Sequence, residues 1–292
     1  MRELQLEAYA KLNLGLKILG KRPDGYHEIE TLFQSIDLHD TLTLELHEQP
    51  RIALQIDSPW PIAQGRENLV YRAAEMVLSY AAESRGVRIF LKKRIPVGAG
   101  LGGGSSDAAA TLVGLNQLLG LHFRSTDLHS LALKLGSDVP YFLVGGLCRG
   151  RGRGELLERL PPLWGDYTFV LVKPPCSLST EEVYREYDHL VERGWQPSLA
   201  DSEFIVCVND LEEAALRLCP ELRDCRQRIA EFQPDLWGLS GSGPTYYAAW
   251  RSPTSAAQAY ATLEELRKKE GYWLAQARAT DIIPPSSTSP SG

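Results

Sequence analysis

Residues 96–107 read Pro-Val-Gly-Ala-Gly-Leu-Gly-Gly-Gly-Ser-Ser-Asp, five glycines in twelve positions. No other stretch constrains the fold as strongly. So many glycines cost conformational entropy, which a chain spends where backbone turns through left-handed angles or touches a ligand. The stretch follows a strand pattern, Val87 to Leu91. It runs into a helix pattern, Ser105 to Leu119, which has Ser and Asp at its start, alanines in its first turns and Gly120 as terminator. The expected unit is strand, glycine loop, helix.

Three readings of the loop compete with a plain tight connection. Gly98, Gly100 and Gly103 match Gly-x-Gly-x-x-Gly, but a dinucleotide fold needs a following strand closed by an acid about 20 positions on. Here that window holds a helix end and a loop. A P-loop needs Lys after its second glycine, and Gly104 stands there. The third reading is an anion cradle made of backbone N–H groups and a helix N-terminus, with Ser105 and Ser106 supplying hydroxyls to phosphate or magnesium. Three consecutive glycines before Ser-Ser-Asp favour it.

Composition narrows the classes. The chain has 292 residues, 43% hydrophobic and 23% charged, with net charge −6. It is long enough for two domains. No global basic field invites nucleic acid, and no apolar run approaches the ~20 residues of a membrane span. Small anionic ligands need only a local positive site. The five cysteines form no Cys-x-x-Cys pair and read as reduced thiols of a cytoplasmic protein. The N-terminus enters an alternating pattern at once, which argues against a signal peptide. Residues 283–292 read as a disordered tail.

Further patterns predict strands at Leu4–Leu16, Thr41–Leu46, Arg51–Ile56, Tyr167–Val172, Leu236–Ser240, Tyr246–Trp250 and Tyr272–Arg278. Helices are expected over Asn68–Ala82, Ser125–Leu135, Ser179–Val191, Asn209–Leu218, Glu221–Phe232 and Ser255–Lys269. The apolar run after Pro140 is expected to continue as a strand. The alternation gives a mixed α and β chain, with a domain boundary near the Gly/Arg-rich segment 145–154.

The stretch Pro96 to Ala110 resembles the phosphate-binding motif of the GHMP kinases, most closely that of the 4-diphosphocytidyl-2-C-methyl-D-erythritol kinase family. Ala10-Lys-Leu-Asn-Leu, Arg22-Pro-Asp-Gly-Tyr-His27, Gly136-Ser-Asp-Val-Pro140 and Leu239-Ser-Gly-Ser-Gly-Pro-Thr245 agree and occur in the family's order. The Asp-Gly-Tyr-His segment narrows the superfamily to this kinase. The resemblance implies an α+β, two-domain GHMP kinase fold. Residues 1–154 would form a ribosomal protein S5 domain 2-like ATP domain, and residues 155–282 a ferredoxin-like substrate-side domain. The implied reaction is phosphorylation by ATP, with Mg2+, of the 2-hydroxyl of a cytidine-diphosphate-linked methylerythritol in the non-mevalonate isoprenoid pathway. The implied protein is a monomer or weak homodimer. The alternatives are a homoserine- or mevalonate-type kinase, or an inactive nucleotide-binding regulator.

The resemblance also assigns residues. Asp138 would be the base, although alone it reads as an Asx-turn or helix-end aspartate. Lys11 would be its electrostatic partner, although a strand lysine is more often at an exposed edge. Asn13 shares the strand face of Lys11. Tyr26 and His27 would hold cytosine, with Tyr184 on the base's other side and Thr180 at the diphosphate. The triphosphate would lie against Pro96, Gly98, Gly100, Leu101, Gly102, Gly103, Gly104, Ser105 and Ser106, with Asn68 both capping its helix and meeting adenine. Lys92-Lys93-Arg94 reads as a solvated strand edge. Arg149, Arg151 and Arg153 could face the diphosphate, and Gly241-Ser242-Gly243 could support the glycine loop.

Overall fold

The computed structural model describes residues 3–81, 85–162, 167–197 and 206–281; the tail read as disordered lies outside them. Strand β1 (Glu3–Lys21) and strand β2 (His27–His47) form a long antiparallel hairpin, paired from Glu3 opposite Glu45 to Lys21 opposite His27 with register shifts at Tyr9/Ala10, Asn13/Gly15 and Ile18/Gly20. On its other edge β2 serves two neighbours. Thr41–His47 pairs with β4 (Gly86–Lys92), and Ile29–Gln34 pairs with β5 (Leu147–Gly152). Strand β3 (Ile52–Asp57) lies parallel to β4, and β6 (Leu156–Arg159) lies antiparallel to β5. Helices α1 (Leu69–Leu78), α2 (Gly103–Leu119), α3 (Ser125–Leu135) and the short α4 (Tyr141–Val144) pack on this sheet. The alternation of β4 decides what faces them: Val87, Ile89 and Leu91 are buried, while Phe90 and Lys92 are exposed.

The second sheet is antiparallel, in the order β10 (Trp273–Arg278), β7 (Thr168–Lys173), β9 (Tyr246–Trp250), β8 (Leu236–Leu239). Helices α5 (Thr180–Glu192), α6 (Glu212–Leu218), α7 (Glu221–Glu231) and α8 (Pro253–Glu270) cover one face through Val170, Val172, Tyr246, Ala248 and Trp250. The other face presents Phe169, Leu171, Tyr247 and Ala249 to Ala10, Leu12, Leu14 and Ile36 of the first sheet and to Leu101 of the glycine loop. Burial on both faces explains why β7 and β9 read as unbroken apolar runs. This third core joins the two units directly behind the loop.

Several expectations need correction. The run after Pro140 is a helical turn, because Pro140 at φ −57° starts a helix more readily than a strand. The Gly/Arg-rich segment is strand β5, in which glycine at 150 leaves room for the Phe33 ring. Since β6 still belongs to the first sheet, we place the division between the units after Arg159 rather than after Gly154. The cysteines are not all thiols: Cys176 and Cys219 form a disulfide, their Cα atoms brought to 6.7 Å, within bridging range. Cys148, Cys207 and Cys225 are free.

Candidate active site

A cavity of about 920 Å³ runs from the start of α1, along the glycine loop, past Lys11 and Asp138, to the tip of the β1–β2 hairpin and the first turns of α5. Its centre is built by β1. Strand parity puts Lys11 and Asn13 on one buried face. The Lys11 backbone N–H donates to Leu101 O at 3.0 Å, tying strand to loop. Lys11 Nζ donates to Asn13 Oδ1, lies 5.5 Å from the Phe33 ring centroid and sits 3.6 Å from Asp138 Oδ2. Burial lowers the pKa of the Lys11 ammonium, and Asp138 opposes that shift. Asp138 stands in the α3–α4 turn, with its side chain 38% exposed, so solvent or an incoming hydroxyl can reach it.

The glycine loop turns through left-handed angles at Gly98, Gly100 and Gly102, with φ of 61°, 74° and 71°. A Cβ at Gly100 would lie 2.2 Å from Ser240 O, and one at Gly102 would lie 2.5 Å from Phe142 Cζ. Helix α2 begins at Gly103, two residues before the expected start, and its N-cap Gly102 offers no side-chain cap. The N–H groups of Gly103, Gly104 and Ser105 therefore have no hydrogen-bond partner among the described residues. Uncapped amides at a helix N-terminus suit an anion. Ser105 lines the cavity, as do Pro96 and the five glycines. Leu101 and Ser106 do not: Leu101 is in the third core, and Ser106 is buried on α2. Gly100→Ala is expected to raise the KM for ATP by about tenfold or more, because the added methyl meets backbone and the angle is strained. Initial rates measured against ATP concentration would show it.

The turn after β8 supports the loop. Ser240 Oγ donates to Gly100 O at 2.9 Å and accepts from the Asn13 backbone N–H at 3.1 Å. Asn209 Nδ2 donates to Leu239 O and Gly241 O, each at 2.8 Å. Thr180 Oγ1 lies 3.0 Å from Ser242 Oγ.

Lys93 is not the solvated residue expected. Lys92 and Arg94 are exposed, but Lys93 is buried and paired with Asp40 on β2 and, at 2.7 Å, with Asp107 on α2. Asp40 Oδ1 also accepts from the backbone N–H groups of Arg94 (2.5 Å) and Ile95 (2.9 Å), while Asp107 Oδ1 is buried with no hydrogen-bond partner among the described residues. One ammonium faces two buried carboxyls. Burial pushes Asp107 up to about 8, with Lys93 pulling down and Asp40 pushing up. A Cβ at Gly103 would lie 3.1 Å from Lys93 Nζ, so this ammonium sits directly under the loop. The pattern held the signal: residues 87, 89, 91 and 93 share one parity.

At the far end, Tyr26, His27, Thr180 and Tyr184 all line the cavity. His27 is buried and stacks on Tyr184, ring centroids 4.9 Å apart. Tyr26 is exposed, and the Arg153 guanidinium lies 4.8 Å from its ring centroid. Of the three arginines only Arg153 lines the cavity; Arg149 and Arg151 pair with Glu30 at 3.5 and 3.4 Å. Asn68 lines the opposite end while capping α1, its Oδ1 accepting from the Val70 N–H at 2.9 Å. Asp188, one helical turn beyond Tyr184, went unnoticed in the sequence because a charge on a helix ordinarily faces solvent.

Comparison with known proteins places this architecture. The GHMP kinases N terminal domain family matches residues 68–146, and the GHMP kinases C terminal family matches residues 193–269. A 4-diphosphocytidyl-2-C-methyl-D-erythritol kinase of Pelotomaculum thermopropionicum is 43% identical over 86% of this chain and 90% of its own. A crystal structure of 4-(cytidine 5'-diphospho)-2C-methyl-D-erythritol kinase superposes with a TM-score of 0.76 at 37% identity, covering 95% of this chain and 100% of that one. A homoserine kinase from Cytophaga hutchinsonii, at 19% identity and a TM-score of 0.68 over 98% of this chain and 96% of its own, shares the fold. The chain belongs to the GHMP kinase family, in its 4-diphosphocytidyl-2-C-methyl-D-erythritol kinase branch.

Proposed function

We propose that this protein transfers the γ-phosphoryl group of ATP to the 2-hydroxyl of 4-diphosphocytidyl-2-C-methyl-D-erythritol. The observation that carries the reading is the Lys11–Asp138 pair, 3.6 Å apart, midway between a cradle of uncapped amides and an aromatic pocket. Asp138 takes the hydroxyl proton as the alcohol oxygen bonds to the γ-phosphorus. The bond to the β-bridging oxygen breaks, and ADP leaves. Lys11 stabilises charge on the attacking oxygen, and Asn13 holds the ammonium in place. The amides of Gly103, Gly104 and Ser105 hold phosphate oxygens, and Lys93 adds positive potential from below. Tyr26, His27 and Tyr184 hold the cytosine, and Thr180 reaches the diphosphate.

Magnesium, when bound, neutralises phosphate charge. Among the described residues no cluster of three or more His, Cys, Asp or Glu side chains could hold it alone. That fits an ion carried chiefly by the triphosphate, with Ser105 as the protein hydroxyl nearest the cradle. No described helix is long and apolar enough to cross a membrane. We assign the enzyme to the cytoplasm, as a monomer or weak homodimer.

Purified protein incubated with MgATP and, separately, the cytidine compound, homoserine and mevalonate tests the reading. Phosphorylation of the cytidine compound alone is expected. Turnover of homoserine or mevalonate without it would replace the assignment, and no turnover of any would leave a nucleotide-binding regulator.

A further inference from the structure

Asp188 on α5 lines the substrate end of the cavity, and no step of the reaction above uses it. Its carboxylate meets two donors from the opposite wall. His27 Nε2 lies 2.7 Å from Oδ1, and Lys21 Nζ donates to Oδ2 at 2.6 Å. Both donors belong to the β1–β2 hairpin, so the contact spans the two units at the cavity's mouth. The two bonds are unequal. The His27 side chain is 7% exposed and the Lys21 side chain 57%. Water weakens the lysine pair far more than the histidine bond.

Asp188 also stays ionised against its surroundings. Burial pushes its pKa up, but the donors Lys21 and His27 outweigh burial and bring it below the ordinary value. An ionised carboxylate only accepts, so Nε2 carries the proton. Nδ1 has no hydrogen-bond partner among the described residues. The ring is meanwhile clamped by Tyr184, centroids 4.9 Å apart at 27°, and by the edge contact of Tyr187 at 6.0 Å.

We propose that Asp188 is a positioning residue for the pyrimidine end of the site: it fixes the tautomer and plane of His27 and ties the hairpin to α5. This rests on the substrate reading given above. This role gives Asp188 no contact with the reacting hydroxyl or the phosphates, so its loss changes capture of the cytidine compound and not the chemical step.

Asp188→Ala is expected to raise the KM for the cytidine compound by about tenfold, the worth of one charge-assisted hydrogen bond. Both kcat and the KM for ATP should stay within about twofold, since neither depends on this bond. Long-range 15N–1H spectra should show His27 leaving the pure Nε2–H form for a mixture of tautomers. Asp188→Asn, the same shape without the charge, should fall between, Asp188→Glu should recover part of the loss, and Lys21→Met should leave the His27 signals in place. The proposal is overturned if His27 keeps its tautomer in Asp188→Ala, if both KM values rise together, or if neither moves. Should the wild-type enzyme not turn over the cytidine compound, the substrate reading falls, while the His27 spectrum still decides the role of Asp188.

Discussion

Asp138→Asn is expected to lower kcat about a thousandfold while leaving the KM values for ATP and the cytidine compound within about threefold. The amide has the size of the carboxylate, so the α3–α4 turn keeps its shape. What disappears is the acceptor for the hydroxyl proton and the counter-charge 3.6 Å from Lys11. Binding depends on other groups: the amides at the mouth of α2 for ATP, and the hairpin and α5 for the alcohol. The deficit should therefore sit in the chemical step, and single-turnover measurement at saturating substrates would show it. A kcat within fivefold of wild type would remove Asp138 from the role of base.

Lys93→Leu is expected to cost about 3–5 kcal/mol of folding stability, read as a lower urea midpoint. Leucine fills much of the space, but two carboxyls at 0% and 2% exposure lose the ammonium they share. A leucine on an exposed strand edge would cost a few tenths, so the size of the loss separates the two placements. The neighbouring Asp107 gives a pH signature. Its pKa is about 8 in the folded protein and about 4 in an unfolded chain. Between those values the native state holds a proton that the unfolded state has released. Stability from this group is therefore complete below about pH 4 and is lost as the pH rises through about 8. Asp107→Asn should abolish that decline, so the difference between the two stability curves from pH 5 to 8 reports on the Asp40–Lys93–Asp107 cluster. Parallel curves would refute the assignment.

Much of this was legible beforehand because the residues concerned are local. The glycine loop announced itself through composition, α1 through its Asn68 cap, and β7 and β9 through unbroken apolar runs. The order of the motifs pointed to the family. What the sequence hid was long-range. Asp40 and Asp107 lie 67 positions apart and meet only because β2 and α2 pack on either side of Lys93. The burial of Lys93 was written in strand parity, but three consecutive basic residues obscured it. Arg149 and Arg151 looked like diphosphate ligands until strand pairing set both against Glu30. Cys176 and Cys219 stand 43 residues apart, and nothing local brings such residues together. The start of α2 was misplaced because serine and aspartate look like caps, whereas the helix begins on bare glycine and leaves its amides open.

The third core has a consequence for how this enzyme can be divided. Phe169, Leu171 and Tyr247 shelter the strand that carries Lys11 and the leucine at the centre of the glycine loop. A gene cut between β6 and β7 would yield two fragments, each with a greasy face open to water. The half with the nucleotide cradle would not remain a competent ATP binder by itself. Catalytic competence would return only when the halves were mixed and re-associated, as in split-reporter complementation.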